Sequence, residues 1–322
     1  VEGIQEYAGD EARVLYSDGC HLYKDKIENL AVANDRIAEV KGICEYSDIV
    51  ICCMGLDAGL EGEEGDEGNQ YASGDKPNLN LPGIQEERVA LTVAASGKPV
   101  VLVLLSGSAL AINWPAEHIP AILYGGYPGA QGGRAIAKLL FGEASPEGKL
   151  PITFYKSLEE LPEFTDYAMK GRTYRYMEQE ALFPFGYGLS YTDFQISNVK
   201  LSTDVVTQEG IKVEADISNT GAYDSAQTLQ IYVATGLEDA PRYQLKGLQK
   251  VAVKKNETKH VEIMLTDKAF ALYNENGDMV LTKGTCRVYV GSSQPDKRSQ
   301  ELTGKRSEEF EVVIPQDRII EE

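Results

Sequence analysis

Three uninterrupted apolar runs constrain this chain more than any other feature: Ile49-Val50-Ile51-Cys52-Cys53-Met54, Pro99-Val100-Val101-Leu102-Val103-Leu104-Leu105 and Ala121-Ile122-Leu123-Tyr124. A strand that is apolar on both faces must be covered on both, which marks a parallel sheet clothed by helices. Helical signals lie between and around the runs. Leu30, Ala33, Ile37, Val40 and Cys44 repeat at three- and four-residue steps, as one face of a helix requires. Residues 83–96 and 129–141 also read as helices, the second with Ile136, Leu139 and Leu140 turned inward, and residues 13–16 read as a short strand. This alternation predicts an α/β fold, a layered α/β/α sandwich with a mostly parallel sheet.

The pattern changes after Phe194. Residues 211–217, 227–233, 261–265 and 287–290 alternate apolar and polar positions, with turn-like Asn219-Thr220-Gly221, Lys255-Asn256-Glu257 and Asn276-Gly277-Asp278 between them. Short strands separated by such turns predict an all-β antiparallel sandwich. Residues 157–193 are rich in Glu, Pro, Tyr and Gly without a long period, so they read as an extended connector. Its aromatic residues Tyr167, Tyr174, Tyr176, Phe183 and Phe185 are costly to leave in water, and the connector is expected to pack on both domains. The 322 residues fit roughly two domains, placed at 1–156 and 194–315.

Charge narrows the function. Asp and Glu outnumber Lys and Arg 50 to 31, for a net charge of −19. Such a surface lacks the cations that displace counterions from nucleic acid or dock on anionic lipid. No apolar run approaches the ~20 residues of a spanning helix. The polar, acidic opening from Val1 shows no secretory signal. Five cysteines, Cys20, Cys44, Cys52, Cys53 and Cys286, have no framework spacing, which suggests reduced thiols and a cytoplasmic setting. Cys52 and Cys53 read as small core residues. His21, His118 and His260 are scattered, so no structural metal is expected. Asn256-Glu257-Thr258 has the glycosylation pattern by chance.

In open α/β sheets ligands bind beyond the carboxyl ends of the strands. Three segments leave that edge: the long stretch from Gly55 to Gln70, then Ser106-Gly107-Ser108, then Gly125-Gly126-Tyr127-Pro128-Gly129. The first concentrates carboxylates between glycines. Crowded like charges raise the pKa of at least one member, and a carboxyl group that stays protonated can act as a general acid. By composition alone a solvated acidic loop is the better explanation. A calcium loop starting at Asp57 fails at Gly59 and at Gly68, where a bidentate Glu is needed. The glycines from Gly125 to Gly133 lack dinucleotide and P-loop spacing and serve a tight turn. Ser106 and Ser108 form no nucleophile elbow.

These residues also resemble a known family. Glu61-Gly62-Glu63-Glu64-Gly65-Asp66 with Leu79-Asn80-Leu81-Pro82-Gly83-Ile84-Gln85, then Tyr127-Pro128-Gly129-Ala130-Gln131-Gly132-Gly133, Leu140-Phe141-Gly142, Gly148-Lys149-Leu150-Pro151-Ile152-Thr153, Arg172-Thr173-Tyr174-Arg175-Tyr176 and Phe183-Pro184-Phe185-Gly186-Tyr187-Gly188-Leu189-Ser190-Tyr191 resemble, in order, the C-terminal part of glycoside hydrolase family 3, the β-glucosidase and β-xylosidase type. Asn219-Thr220-Gly221, Gln230-Ile231-Tyr232-Val233 and Leu245-Lys246-Gly247 are similar to its fibronectin type III-like module.

The resemblance implies a retaining exo-acting β-glycosidase, in which one carboxylate attacks the anomeric carbon and a second carboxyl group protonates the leaving oxygen. In the family the nucleophile is an Asp on an (α/β)8 barrel and the acid/base is a Glu on the acidic loop. Aligning on Asp66 makes Glu63 the first choice for the acid, Glu61 the second and Glu64 the third. Asp66 is a sugar-binding candidate. Glu67 stands where an Arg is common, and the insertion from Gly68 to Asn80 offers Asp75 or Lys76 as a replacement contact. The partners implied are a β-linked glucoside, xyloside or oligosaccharide and the missing barrel. A homodimer is compatible with this reading, and no cofactor is expected. The family's usual first strand has no counterpart before Val1, so the first domain is expected to lack it and the chain to be one piece of a longer polypeptide. Two alternatives remain open: a non-catalytic carbohydrate-binding or scaffolding fragment, and a secreted calcium-binding adhesion module.

Overall fold

A computed structural model describes residues 1–24, 30–62 and 76–320. The chain divides into two units, Val1–Glu143 with Phe154–Glu160, and Ala144–Thr153 with Leu161–Glu322.

The first unit contains α1 (Glu2–Ala8), α2 (Ile37–Glu45), β1 (Val50–Gly55), α3 (Ala58–Glu61), a π turn at Gln85–Ala90 that runs into α4 (Leu91–Ala94), β2 (Val100–Leu105), α5 (Asn113–His118), β3 (Ala121–Tyr124) and α6 (Gly132–Leu140). The three strands form one parallel sheet in the order β1-β2-β3, with Cys52 beside Leu102 and Leu102 beside Ile122. The central strand behaves as its sequence demands: Leu102, Val103 and Leu104 are buried on both faces.

The first strand does not. Cys52 and Met54 are buried, whereas Cys53 is exposed, which corrects the reading of both cysteines as core. Successive side chains point to opposite faces of a strand. Cys52 faces the side where Cys20 and Cys44 lie, and burial pushes its thiol up to about 12. Two other segments also differ from their periodicity. The helix expected from Leu30 begins only at Ile37, because Asn34 takes a left-handed backbone with φ 62°, which a continuing helix excludes. Residues 13–16 form no strand. The Tyr16 hydroxyl donates to Asp18 at 2.5 Å and the Gly19 amide donates to Ser17 Oγ at 3.1 Å, so this segment bonds locally instead of joining a ladder.

The predicted helix at 83–96 is real but irregular. Its first turn is wound around Gln85, whose side chain is 3% exposed. Gln85 Oε1 accepts from the Gly55 amide at 2.8 Å, and Nε2 donates to the carbonyls of Gly55 at 2.7 Å and Leu22 at 2.9 Å. Gly55 itself has φ 142°, and a Cβ there would lie 1.8 Å from the Leu105 carbonyl oxygen. Only glycine lets β1 turn away so close to β2.

The second unit holds α7 (Thr173–Tyr176), β4 (Phe194–Leu201), β5 (Ile211–Asn219), β6 (Ser225–Ala234), β7 (Gln244–Val253), β8 (Thr258–Leu265), β9 (Leu272–Tyr273), β10 (Met279–Leu281), β11 (Gly284–Gly291), α8 (Lys297–Thr303), β12 (Glu308–Ile314) and β13 (Arg318–Ile320). A four-stranded sheet, β12-β11-β6-β7, faces a three-stranded sheet, β4-β5-β8, and all their pairings are antiparallel. Ile211, Val213, Ala215 and Ile217 of β5 meet Leu229, Ile231 and Val233 of β6 and Val288 and Val290 of β11 in one core. This is the sandwich its alternation predicts.

β6 is buried on its other face as well, because the segment before the sandwich covers it. Tyr174 stacks on Phe185 with centroids 4.2 Å apart and meets Tyr232 edge-on at 6.1 Å. Gln230 Nε2 donates to the Gly186 and Ser292 carbonyls at 2.9 and 2.8 Å, and its Oε1 accepts from the Tyr232 hydroxyl at 2.6 Å. Lys149 joins the same layer by donating to the Gly188 carbonyl at 2.6 Å.

Two measurements test these packings. Gln85→Leu strands the amide and carbonyl of Gly55, each at about 1–3 kcal/mol. Urea denaturation should show a loss of roughly 3 kcal/mol on that scale, and a loss within error of zero would mean water replaces the side chain. Burial, with the Lys305 ammonium second, pulls the Lys149 ammonium down to about 8 from the usual 10.5. Between those values the unfolded chain binds the extra proton, so this group's contribution to stability rises with pH. Wild type should therefore gain on the order of 1 kcal/mol over Lys149→Met between about pH 7.5 and about pH 9.5. Parallel pH curves for the two proteins would refute it.

Candidate active site

The carboxyl ends of β1, β2 and β3 bring three loops together. The first leaves Gly55 and is caught at once by α3. Asp57 caps that single turn, its Oδ1 accepting from the Leu60 amide at 2.9 Å, and Leu60 is buried. Glu61 is the last residue of the turn. The chain returns at Lys76, whose amide donates to the Glu61 carbonyl at 3.0 Å. The neck of the acidic loop is therefore pinned on both sides. Further along, the Ala111 amide donates to the Leu79 carbonyl at 2.8 Å and holds the return path to the segment after β2.

The second loop is a tight turn. Ser106 is fully buried, and its Oγ donates to the Ser108 carbonyl at 2.7 Å and accepts from the Ser108 amide at 3.2 Å. The Tyr124 hydroxyl donates to the Ser106 carbonyl at 2.8 Å. Gly107 sits at the apex of this turn. A Cβ on it would lie 2.5 Å from the Tyr127 ring and 3.0 Å from Glu61 Oε2.

The third loop supplies Tyr127; burial first, and then the nearby Glu61 carboxyl group, hold its phenol well above its ordinary pKa. Burial likewise raises the Tyr124 phenol, with Glu61 adding to it. Lys76 feels the opposite pull. Burial lowers its ammonium to about 8, against the stabilising charge of Glu61. Glu61 Oε1 is buried and has no hydrogen-bond partner among the described residues, so one oxygen of this carboxyl is uncommitted.

Of the residues singled out from the sequence, Glu61 and Lys76 are brought together at the neck. Glu63, Glu64, Asp66 and Asp75 lie outside the described residues. Tyr127, Gly107 and Gln85 were visible only as motif letters, and nothing in their spacing marked them as neighbours of Glu61 or of its strand. Among the described residues, a possible cation cluster is Glu214, His260 and Glu262 on the sandwich. There the Lys212 ammonium already bridges Glu214 at 2.6 Å and Glu262 at 3.0 Å.

The glycosyl hydrolase family 3 C-terminal domain model matches residues 1–191, and the fibronectin type III-like model matches residues 227–294. A xylan 1,4-β-xylosidase of Xylanibacter ruminicola is 38% identical over 275 residues, which is 84% of this chain and 31% of that protein. A periplasmic β-glucosidase of Salmonella typhimurium is 31% identical over 319 residues, 90% of this chain and 40% of that protein. A solved β-glucosidase from Erythrobacter marinus superposes with a TM-score of 0.80 at 28% identity, covering 97% of this chain and 42% of that one. The chain thus spans less than half the length of these relatives. Matched over more than half of its residues and in the expected order, it belongs to glycosyl hydrolase family 3, of which it carries the C-terminal domain and the fibronectin type III-like module.

Proposed function

We propose that this chain is the C-terminal part of a retaining β-glycosidase acting on β-glucosides or β-xylosides, and that its acidic loop supplies the general acid/base. The observation that carries the reading is the Glu61 carboxyl group at the sheet edge, with Oε2 against Gly107 and Oε1 buried without a hydrogen-bond partner among the described residues. The names of its relatives, β-xylosidase and β-glucosidase, support this substrate class.

In this mechanism the loop carboxyl first gives its proton to the departing glycosidic oxygen. A second carboxylate, about 5–5.5 Å away in retaining enzymes, takes the anomeric carbon. The loop group, now a carboxylate, then draws a proton from water as that water releases the sugar. The second carboxylate belongs to a barrel that these residues do not contain. Lys76, whose amide meets the Glu61 carbonyl at the neck, is the candidate contact for the sugar or the leaving group; Asp66 and Asp75 stay candidates for the same role from the sequence. Glu63 and Glu64 lie outside the described residues; Glu61, the second choice from the sequence, is put forward because its carboxyl group lies against Gly107 at the sheet edge.

The test uses the intact polypeptide. For Glu61→Gln, kcat/KM on alkyl β-glycosides or disaccharides should fall by about 10²- to 10⁴-fold, because those leaving groups need the proton. On 2,4-dinitrophenyl glycosides, which do not, it should hardly change, while the slowed second step recovers with azide. If Glu63→Gln shows this split and Glu61→Gln does not, the role moves two residues along the loop. If no loop glutamate shows it, the acidic loop is not catalytic.

A further inference from the structure

We propose that one end of the β-sandwich carries a binding pocket for a small, neutral, mainly apolar molecule, about the size of one benzene ring with a single hydrogen-bonding group. The pocket lies between the end of β6, the start of β11 and the β9–β10 hairpin. The inference does not depend on the role given to Glu61.

The space arises from two side chains that are small for their places. The inward row of β6 is Leu229, Ile231 and Val233, and that of β11 is Val290 and Val288. Alternation carries these rows on to Thr235 and Cys286. The strands pair Val288 with Val233 and Arg287 with Ala234, so one step further Cys286 and Thr235 stand side by side. Both are buried. A well-packed interior leaves few voids larger than a water molecule, yet a cavity of about 170 Å³ opens here.

The lining selects the chemistry. Phe270, Cys286 and Ile314 line the cavity and are buried. Leu272 and Val280, cross-strand partners in the hairpin, line it half-buried. No charged residue lines it among the described residues. Burial pushes the Cys286 thiol up to about 11, so it stays protonated and uncharged at neutral pH. A charged ligand would lose its hydration there without a counter-charge. The size matches a single ring, since an engineered apolar cavity of about 150 Å³ binds benzene. The entrance is clear. Gly236, Leu237 and Gly284 are exposed at the rim, and a Cβ on either glycine would meet nothing within 4 Å.

One polar group breaks the apolar surround. The Thr235 hydroxyl oxygen is buried and has no hydrogen-bond partner among the described residues. Buried polar groups are ordinarily satisfied. The staggered χ1 states of threonine exchange its methyl and hydroxyl groups, so one χ1 step presents the hydroxyl to a ligand that brings a partner for it.

Fluorine NMR of the ligand, with the intact polypeptide, tests this using fluorobenzene and para-fluorophenol as probes. Both should bind wild type saturably, the phenol about fivefold more tightly, as one added hydrogen bond predicts. Thr235→Val keeps the shape and removes the hydroxyl. It should abolish that preference and change fluorobenzene binding by less than about twofold. Cys286→Met extends an apolar side chain into the open space and should weaken both probes about tenfold or more. Val280→Phe narrows the cavity from its half-buried wall, should do the same, and keeps the test decisive if Cys286→Met does not fold. No saturable binding to wild type, or binding that the cavity variants leave unchanged, overturns the proposal. Equal affinity for the two probes, or a preference that survives Thr235→Val, overturns the hydrogen-bonding role of Thr235 and with it the ligand class.

Discussion

One side-chain amide holds the place where this fold turns into a site. Gln85 satisfies both backbone groups of Gly55 at the point where β1 leaves the sheet with a backbone only glycine tolerates. A buried peptide group that has left its ladder must find a partner or lose the free energy of its hydration. Gln85 is that partner, and it comes from the segment that follows the acidic loop. The clamp therefore ties both flanks of the loop to the sheet edge. Everything nearby inherits its register. Asp57 caps α3, Lys76 closes the neck on Glu61, and Glu61 meets the turn after β2. Because α3 is too short to be stable alone, the position of Glu61 depends on this amide, on the Asp57 cap and on the Lys76 closure.

How far the sequence reached depended on whether a residue's partner was local in the pattern. The run at β2 announced a doubly covered strand and is one. The alternation of Ile211, Val213, Ala215 and Ile217 announced a half-covered strand, and these four line the sandwich core. Where a third party decides, the pattern misled. The run at β1 looked identical to that at β2, yet Cys53 is exposed, since coverage of a strand's second face is a property of its neighbours. The helix expected from Leu30 is cut short at Asn34 by a left-handed backbone that a periodicity of apolar residues does not register. In β6 the buried Gln230 reads as a surface residue until Gly186 and Ser292 supply its acceptors. The site divides in the same way. Acidic crowding and family likeness both fell on that loop and singled out Glu63 first, Glu61 second and Lys76 as a contact, of which Glu61 and Lys76 lie at the described neck. Tyr127 and Gly107 were not legible, because their meaning lies in a contact between three loops.

The chemistry of the neck also bears on the division of labour in the proposed reaction. A retaining mechanism needs two carboxyl groups with different duties. Near Glu61 the described side chains are a phenol, a second phenol, an ammonium and a glycine hydrogen. Among the described residues of the loop, the Asp57 carboxylate is committed to the Leu60 amide, and a capping carboxylate cannot leave its helix to attack a sugar without exposing the amide it covers. On the proposed reading, the described residues around Glu61 suit it to moving a proton. Separating the two duties has a physical rationale. The group that moves a proton must be protonated in one step and ionised in the next, which favours a site with adjustable neighbours such as Lys76 and Tyr127. The group that attacks must stay ionised throughout, which favours a different environment. Placing the two carboxyls on separate parts of a polypeptide lets each keep its own surroundings, at the expense of requiring that the loop be held accurately. The Gln85 clamp, the Asp57 cap and the Lys76 closure are the means by which this chain meets that requirement.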